Sequence, residues 1–254
     1  MPRQTIALLK RNIRFFSTLL FFLLASMNAF ADGWRVLAPG ISYQDLDSDF
    51  LTPWSHIHAF RIDLHNNRFS LLSAKDLSRE YASIDEYAEF SHALLAINGG
   101  FFDNHYHPLG LRIDKKSVKN PAKNISWWGI FYLKNNKAYL TTINHFNPES
   151  IDFAIQSGPR LVINNRIPPL KTGRAERTAL GITHDGQIIV LVTDNMPLST
   201  TELAQRMKDE PLHCENALNL DGGSSSQLRA RIHSFQLDVH GFSNVSDAVI
   251  VNSR

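Results

Sequence analysis

A local pattern that occurs three times constrains the fold of this chain more than any other feature. An alternating apolar segment, a short polar turn and a second apolar segment follow one another in residues 58–72, 128–143 and 179–193. The third turn contains Asp185-Gly186, a pair that favours tight hairpin turns. Because two apolar strands joined by such a turn usually pair with each other, each segment is predicted to form a hairpin.

Two Ser-x-x-Glu capping boxes predict where helices begin. The box at Ser83 begins a predicted helix over residues 84–92, and the box at Ser199 begins another over residues 200–209. Many hairpins with two short helices favour a mixed α+β fold whose sheet is largely antiparallel, rather than a doubly wound parallel sheet.

Each predicted helix precedes a short apolar strand that ends in a glycine-containing motif. Residues 93–97 lead into Asn98-Gly99-Gly100-Phe101-Phe102-Asp103, and residues 217–220 lead into Asp221-Gly222-Gly223-Ser224-Ser225-Ser226. Glycines allow backbone N–H groups to approach a ligand closely. We expect the two strands to lie side by side in one sheet and to bring both motifs to the same edge.

Residues 1–31 have the features of a secretory signal peptide. A basic start is followed by an apolar run over residues 15–25 and by the A-x-A cleavage site Ala29-Phe30-Ala31. An uncleaved signal anchor is the alternative, which the shortness of the apolar run disfavours. Cleavage after Ala31 would leave residues 32–254 as one domain, located in a bacterial periplasm or secreted.

Removal of the leader changes the charge balance. The leader carries four of the 26 basic residues and no acid, which leaves 22 basic and 24 acidic side chains. This composition does not favour a nucleic-acid partner. Cys214 is the only cysteine, so an internal disulfide is excluded and a buried structural thiol is expected.

The usual signatures of nucleophilic catalysis and phosphate binding are absent. The sequence has no Gly-x-Ser-x-Gly, Ser-x-x-Lys, P-loop or Gly-x-Gly-x-x-Gly motif. His56-x-His58 and His105-x-His107 could each place two imidazoles near a metal, but neither pair has a third ligand at a suitable spacing. We therefore predict no metal site and no cofactor, with a divalent cation left open.

Arg177 directly precedes a predicted strand and lies beside Arg174 and Glu176. A guanidinium in this place can bind a phosphate or carboxylate through two parallel hydrogen bonds. The alternative is a surface ion pair with Glu176 or another acid.

Four motifs in a fixed order resemble the phosphodiester glycosidase family. They are residues 98–102, 157–162, 177–181 and 219–225, and the resemblance covers about residues 90–250. It implies hydrolysis of a sugar-1-phosphodiester at the anomeric carbon, which releases free sugar and a phosphomonoester. One departure is Asp194-Asn195-Met196-Pro197, where family members often carry an Asp-Gly pair, so the resemblance assigns no role to this loop.

The resemblance also implies that Asn98, Arg177 and Asp221 line the active site. The further predicted substrate-binding residues are Gly99, Gly100, Phe102, Asp103, Arg160, Gly222, Gly223, Ser224 and Ser225. A phosphomonoester is a good leaving group, so a cationic clamp by Arg177 can replace the general acid of ordinary glycosidases. Asp221 would then act as the nucleophile or as the base for water.

Two other functions remain open at this point. The protein could be a non-catalytic periplasmic module that binds a phosphorylated envelope glycan, or a metal-dependent phosphodiesterase that attacks phosphorus. In every case the expected partner is a phosphorylated glycan or a sugar-1-phosphodiester, with no nucleic acid and no stable membrane insertion after signal cleavage.

Overall fold

Antiparallel β-sheet dominates the computed structural model, which describes residues 33–47 and 51–254. Residues 36–254 form one compact unit. The α-helices in the described ranges are α1 (Ile84–Ser91) and α2 (Thr200–Lys208), and none of the described helices is long and apolar enough to cross a membrane. The predicted signal peptide lies outside the described residues.

Sheet 1 has seven strands. In spatial order they are β1 (Arg35–Ala38), β2 (Ile41–Asp45), β3 (His56–Ile62), β14 (Ile188–Asp194), β13 (Thr178–Thr183), β16 (Cys214–Asn219) and β11 (Arg160–Val162). Helix α2 packs against this sheet at Gly181, where an added Cβ would lie 2.4 Å from Cys214 Sγ and 2.6 Å from Met207 Cε. The thiol of Cys214 is buried as expected, and this burial raises its pKa.

Sheets 2 and 3 have five strands each. Sheet 2 consists, in spatial order, of β18 (Phe235–Val239), β17 (Leu228–Ile232), β5 (Leu95–Asn98), β19 (Asp247–Ser253) and β4 (Asn67–Ser73). Sheet 3 consists of β7 (Ser117–Asn120), β6 (Arg112–Asp114), β10 (Phe153–Ser157), β8 (Gly129–Lys134) and β9 (Lys137–Thr141). A two-stranded ribbon joins β12 (Arg174–Ala175) to β15 (Leu198–Ser199).

One hydrophobic core is shared by the three sheets. Phe60 and Leu180 belong to sheet 1, Ile97 and Val249 to sheet 2, and Phe153 to sheet 3, and all five lie in the same buried cluster. Burial of apolar surface between sheets is the main driving force for such a fold. Helix α1 covers the other face of sheet 2.

Both predicted helices are confirmed, and each begins with the predicted capping box. Ser83 accepts a hydrogen bond from the Glu86 backbone N–H, and Ser199 accepts one from that of Glu202. The largely antiparallel α+β architecture is also confirmed.

Two of the three predicted hairpins are confirmed. Strands β8 and β9 pair across Asn135-Asn136, where both residues have positive φ, and β13 and β14 pair across a turn in which Gly186 has φ of 82°. The first prediction is wrong, because β3 lies in sheet 1 and β4 in sheet 2. Alternating apolar residues face the core equally well from two packed sheets, so this pattern did not distinguish a hairpin from a crossover.

The expectation that the two motif-bearing strands are neighbours is also wrong. Strand β5 lies between β17 and β19 in sheet 2, whereas β16 lies between β13 and β11 in sheet 1. Their motifs nevertheless meet, because the Asp221 N–H donates to the Gly99 carbonyl oxygen at 3.2 Å. The two glycine-containing motifs therefore meet where sheets 1 and 2 contact each other, and not within a single sheet.

Candidate active site

Polar residues lie at the ends of five adjacent strands, on one side of sheet 1. Strand β3 begins at His56, β14 ends at Asp194, β13 begins directly after Arg177, β16 ends just before Asp221, and β11 begins at Arg160. Neighbouring strands in an antiparallel sheet run in opposite directions, so these alternating starts and ends lie on the same side of the sheet. Carboxylate, imidazole and guanidinium groups are present at these strand ends.

The loop that carries Asp221 is held by both sheets. Asn98 Nδ2 donates to the Asp221 carbonyl oxygen at 2.9 Å from sheet 2. On the sheet 1 side, the Gly223 N–H donates to the Glu176 carbonyl oxygen at 2.8 Å, and Gly223 has φ of 64°. An added Cβ on Gly222 would lie 2.7 Å from that same oxygen, so Gly222 allows the close approach, while Gly223 allows the positive φ.

The Asp221 carboxyl is partly withdrawn from solvent. Burial is the largest influence and raises its pKa, and the nearby Asp247 acts in the same direction. Hydrogen bonds from the Ser225 side chain and the Gly222 N–H oppose this rise, as does the charge of Arg112. A carboxyl with a raised pKa binds and releases protons closer to neutrality than an ordinary aspartate, which suits acid–base chemistry.

Arg177 is fixed beside this loop by backbone carbonyl groups. Its Nε donates to the Leu198 carbonyl oxygen at 2.7 Å and its Nη2 to the Gly173 carbonyl oxygen at 2.5 Å. Its Nη1 has no hydrogen-bond partner among the described residues and lies 3.8 Å from the place of an added Gly222 Cβ. One guanidinium nitrogen thus faces the Asp221 loop.

The alternative of an ion pair with Glu176 is not formed. Glu176 Oε2 instead accepts a hydrogen bond from Thr193 Oγ1 at 2.5 Å, and within the described ranges no salt bridge involves Arg177. Burial lowers the pKa of Arg177, and the charge of Glu176 opposes this effect. The guanidinium is therefore a partly desolvated cation, whose attraction for an anion is stronger than in water.

Asn98 lies behind the loop and is fully buried. Its Nδ2 donates to the carbonyl oxygens of Gly99 and Asp221, while its Oδ1 accepts from Thr178 Oγ1 at 2.7 Å and from the Gln227 N–H at 3.1 Å. These four bonds use the full capacity of an amide group. Asn98 thus connects the two sheets, and no atom of its amide is left for a substrate.

A buried ion pair that sequence reasoning missed fixes the Gly99-Gly100 segment. Arg112 Nε lies 3.0 Å from Asp247 Oδ2, and neither side chain is more than 1% exposed. The Gly100 N–H donates to Asp247 Oδ1 at 3.2 Å, and an added Cβ on Gly99 would lie only 1.6 Å from that oxygen. The signal for Asp247 was a single charged residue at the start of an otherwise uncharged strand, whereas Arg112 shares the short strand β6 with Asp114.

Two serines predicted to bind substrate occupy different environments. Ser225 is buried and its side chain hydrogen-bonds Asp221, whereas Ser224 is exposed. The Ser224 carbonyl oxygen accepts from the N–H groups of Phe242 and Ser243 at 2.8 and 3.0 Å. This contact places Phe242, whose side chain is 94% exposed, beside the Asp221 loop.

The motif around Arg160 contacts the strand that leads to Asp221. Asn219 Nδ2 donates to the Gly158 carbonyl oxygen at 3.0 Å, and the Asn219 N–H donates to that of Pro159 at 3.0 Å. Burial lowers the pKa of Arg160, and its Nε has no partner among the described groups. Trp127, which is 54% exposed, packs near Gly158.

Phe102 and Asp103 stabilise a separate loop. Phe102 stacks on Tyr106 with ring centroids 5.2 Å apart. Asp103 Oδ1 accepts from the N–H groups of His105 and His107 at 2.9 Å each. The hydrogen bonds that the Asp103 side chain makes among the described residues are with His105 and His107 of its own loop, so its predicted contact with substrate stays a prediction.

The His56-x-His58 pair has protein partners. His56 Nδ1 lies 2.6 Å from Asp45 Oδ2, and His58 Nδ1 lies 2.9 Å from the Tyr43 hydroxyl. Burial lowers the pKa of His58 to about 4, with Asp45 opposing this effect and His56 adding to it. No group of three or more His, Cys, Asp or Glu side chains in the described ranges is arranged to hold a metal ion.

The fold is similar to solved structures. The catalytic domain of zebrafish N-acetylglucosamine-1-phosphodiester alpha-N-acetylglucosaminidase, auto-inhibited by its pro-peptide, superposes with a TM-score of 0.65 at 18% identity, covering 88% of this chain and 87% of that domain. A hypothetical protein from Synechocystis gives 0.64 at 16% identity, covering 89% and 65% of the two chains. At such identities these likenesses show the fold alone.

Sequence comparison gives a relative and a family. YigE, an uncharacterized protein of Escherichia coli K12, is 33% identical over 141 residues, which cover 50% of this chain and 55% of YigE. The chain thus spans about half the length of that relative. The sequence model of the phosphodiester glycosidase family matches residues 91–252, more than half of the chain and the range that contains Arg177 and Asp221. The chain therefore belongs to the phosphodiester glycosidase family.

Proposed function

We propose that this protein is an exported hydrolase that cleaves a sugar-1-phosphodiester at the anomeric carbon. The observation that carries the proposal is the approach of Arg177 Nη1 to the loop of the half-buried Asp221. A cation that approaches the loop of a carboxyl with a raised pKa suits a substrate that has a negative phosphate next to the bond being broken. Family membership supports the class of reaction.

In the proposed reaction, the bond between the anomeric carbon and the phosphate oxygen breaks. Arg177 binds the phosphate and stabilises the negative charge that grows on the leaving phosphomonoester. The Asp221 carboxylate either accepts a proton from the attacking water or attacks the carbon itself, in which case water releases the sugar in a second step. No protonated leaving group is required, because the phosphomonoester is stable as an anion.

Exposed aromatic side chains lie on both sides of the proposed site. Phe242 is held beside Ser224, and Trp127 packs near Gly158. An aromatic face offers a large apolar surface with little loss of side-chain entropy. We propose that these two rings pack against the sugar and the group beyond the phosphate.

The test is incubation of the purified protein with a panel of sugar-1-phosphodiesters in isotopically labelled water. The proposed reaction places the label in the free sugar, and Asp221→Asn abolishes release while Asp152→Asn, a change of an exposed carboxylate directly before β10, does not. Label in the phosphate, together with loss of activity on chelation, would show a metal-dependent phosphodiesterase instead. Binding of substrate without turnover by any form of the protein would show a binding module.

A further inference from the structure

A cavity lies against the buried Arg112–Asp247 pair, whose carboxylate also binds the Gly100 N–H. It has a volume of about 1100 Å³ and opens between residues 73–80, the loop 104–108 and the end of β7. Neither Arg177 nor Asp221 lines it. A cavity of this size matches the sites that bind small organic ligands and is far larger than one ion needs.

The floor of this cavity is rigid and polar. It contains the buried Arg112–Asp247 pair and Ser246, whose hydroxyl donates to Asp247 Oδ2 at 3.0 Å. Four backbone carbonyl oxygens accept hydrogen bonds from Arg112 Nη1. Since every member has protein partners, the floor keeps its shape without a ligand.

The loop on one wall is also fixed. Tyr106 stacks between Phe102 and Tyr81, with ring centroids 5.2 and 4.6 Å apart, and Asp103 binds the backbone of the same loop. His105 and His107 line the cavity from this loop. Their imidazoles add positive charge when they are protonated.

Two of the charged side chains at the mouth of the cavity, Asp76 and Arg79, are already bound by other protein groups. Asp76 is held by the backbone and hydroxyl of Ser73, and Arg79 pairs with Glu86 at 2.7 Å. Glu80 is the remaining acid on the lining.

Two lysines supply the available positive charge. Lys75 and Lys119 are exposed, line the cavity from the segment 73–80 and from β7, and form no salt bridge with any described residue. The exposed polar side chains of Ser78 and Asn104 also belong to the lining. This combination offers two ammonium groups for an anion and several hydrogen-bonding groups for hydroxyls.

We propose that this cavity is a second ligand site, separate from Asp221 and Arg177, that binds an anionic saccharide. The two lysines would bind the anionic group, while Ser78 and Asn104 would bind sugar hydroxyls. Neither Asp221 nor Arg177 lines the cavity, and the Arg112–Asp247 pair on its floor, whose charges also act on Asp221, makes the two sites neighbours.

The experiment is titration of glucose-6-phosphate into the whole protein by calorimetry, with glucose and inorganic phosphate as separate probes. We expect glucose-6-phosphate to bind more tightly than either probe, and the double variant Lys75→Gln/Lys119→Gln to bind it about tenfold more weakly. Lys137→Gln changes an exposed lysine on β9, at the opposite edge of sheet 3, and is expected to bind as the wild type does.

The variants at the proposed active site separate this inference from the proposed function. Glucose-6-phosphate binding is assigned to the cavity where the lysine double variant weakens it, whether or not the wild-type protein hydrolyses any phosphodiester, whereas binding that is lost in Arg177→Gln belongs to the proposed active site. Loss of binding in Arg177→Gln with normal binding in the lysine variant would overturn the inference. Equal affinity for inorganic phosphate and glucose-6-phosphate, or no binding of the sugar phosphate, would also overturn it.

Discussion

At the scale of single residues, the carboxyl of Asp221 controls the proposed chemistry. Its raised pKa follows from burial between two sheets, while Ser225 and Gly222 limit the rise. The carboxylate form is the one required of a base or nucleophile. Activity therefore depends on how much of Asp221 is ionised.

Asp221→Asn is expected to lower kcat by about a thousandfold or more, since an amide can be neither base nor nucleophile. The wild-type enzyme should lose activity on acidification at a pH above the usual range of an aspartate, because the pKa of Asp221 is raised. Steady-state rates across pH check this. An acid limb at an ordinary aspartate pKa, or one that persists unchanged in Asp221→Asn, contradicts the assignment.

Asn98 is expected to matter for stability rather than for substrate binding. Asn98→Ala leaves the Thr178 hydroxyl, the Gln227 N–H and the Asp221 carbonyl oxygen without their partner. Unpaired buried groups of this kind should lower the free energy of unfolding by about 2–4 kcal/mol. Urea unfolding measures the loss, with exposed Asn104→Ala as the control. Equal stability of the two variants would rule out the connecting role.

Of the charged pairs in the described structure, the Arg112–Asp247 pair is expected to lower the free energy of unfolding most when one partner is replaced. Asp247→Asn leaves a buried guanidinium uncompensated, and we expect a loss of about 3–5 kcal/mol in the free energy of unfolding. Asp152→Asn, which removes the exposed partner of Lys116 at 3.9 Å, is expected to cost under about 1 kcal/mol. Chemical unfolding compares the two; similar small losses would contradict the prediction.

At the scale of elements, β3 carries a buried histidine that makes stability depend on pH. Burial lowers the pKa of His58 to about 4, from its ordinary value of 6.5. Above pH 6.5 both folded and unfolded forms are neutral at this residue, and below it the unfolded chain gains the proton first. The contribution of neutral His58 to the free energy of unfolding is therefore complete above the pKa of the unfolded chain, and it is lost as the pH falls toward the pKa of His58 in the folded protein.

The pH dependence can be isolated with one variant. The free energy of unfolding should fall between pH 6.5 and 4 by up to about 3 kcal/mol more in the wild type than in His58→Gln. His65→Gln, a change of an exposed histidine on a turn, is expected to behave as the wild type does. Denaturant titrations at several pH values provide the comparison, and parallel curves for all three proteins would refute the role of His58.

The elements also show what sequence could predict. Helices α1 and α2 and the turn at Asn135-Asn136 depend on residues within a few positions, so local motifs located them. The pairing of Arg112 with Asp247 joins residues 135 positions apart. No local pattern contains such a contact, and the same limitation hid the placement of β5 and β16 in different sheets. The family resemblance predicted that Asp221 and Arg177 line the same active site, and this prediction did not require the strand order of the sheets.

At the scale of the whole molecule, export is the remaining proposal. The N-terminal 31 residues match a signal peptide in sequence, and the family match lies entirely beyond them. If the leader is removed as proposed, protein purified from the periplasm of a bacterial host should begin at Asp32. N-terminal sequencing checks this. A chain that keeps Met1 and sediments with membranes would show an uncleaved anchor.

The bonds around Asp221 have a consequence for when the molecule becomes active. One bond comes from Asn98 in sheet 2, while the segment that follows is bound by Glu176 next to sheet 1. A chain with only one of these sheets formed has the carboxyl but not the burial that raises its pKa. The proposed hydrolysis would therefore require both sheets to be formed, and a chain held unfolded for the proposed export would not attack phosphodiesters in the compartment where it is made.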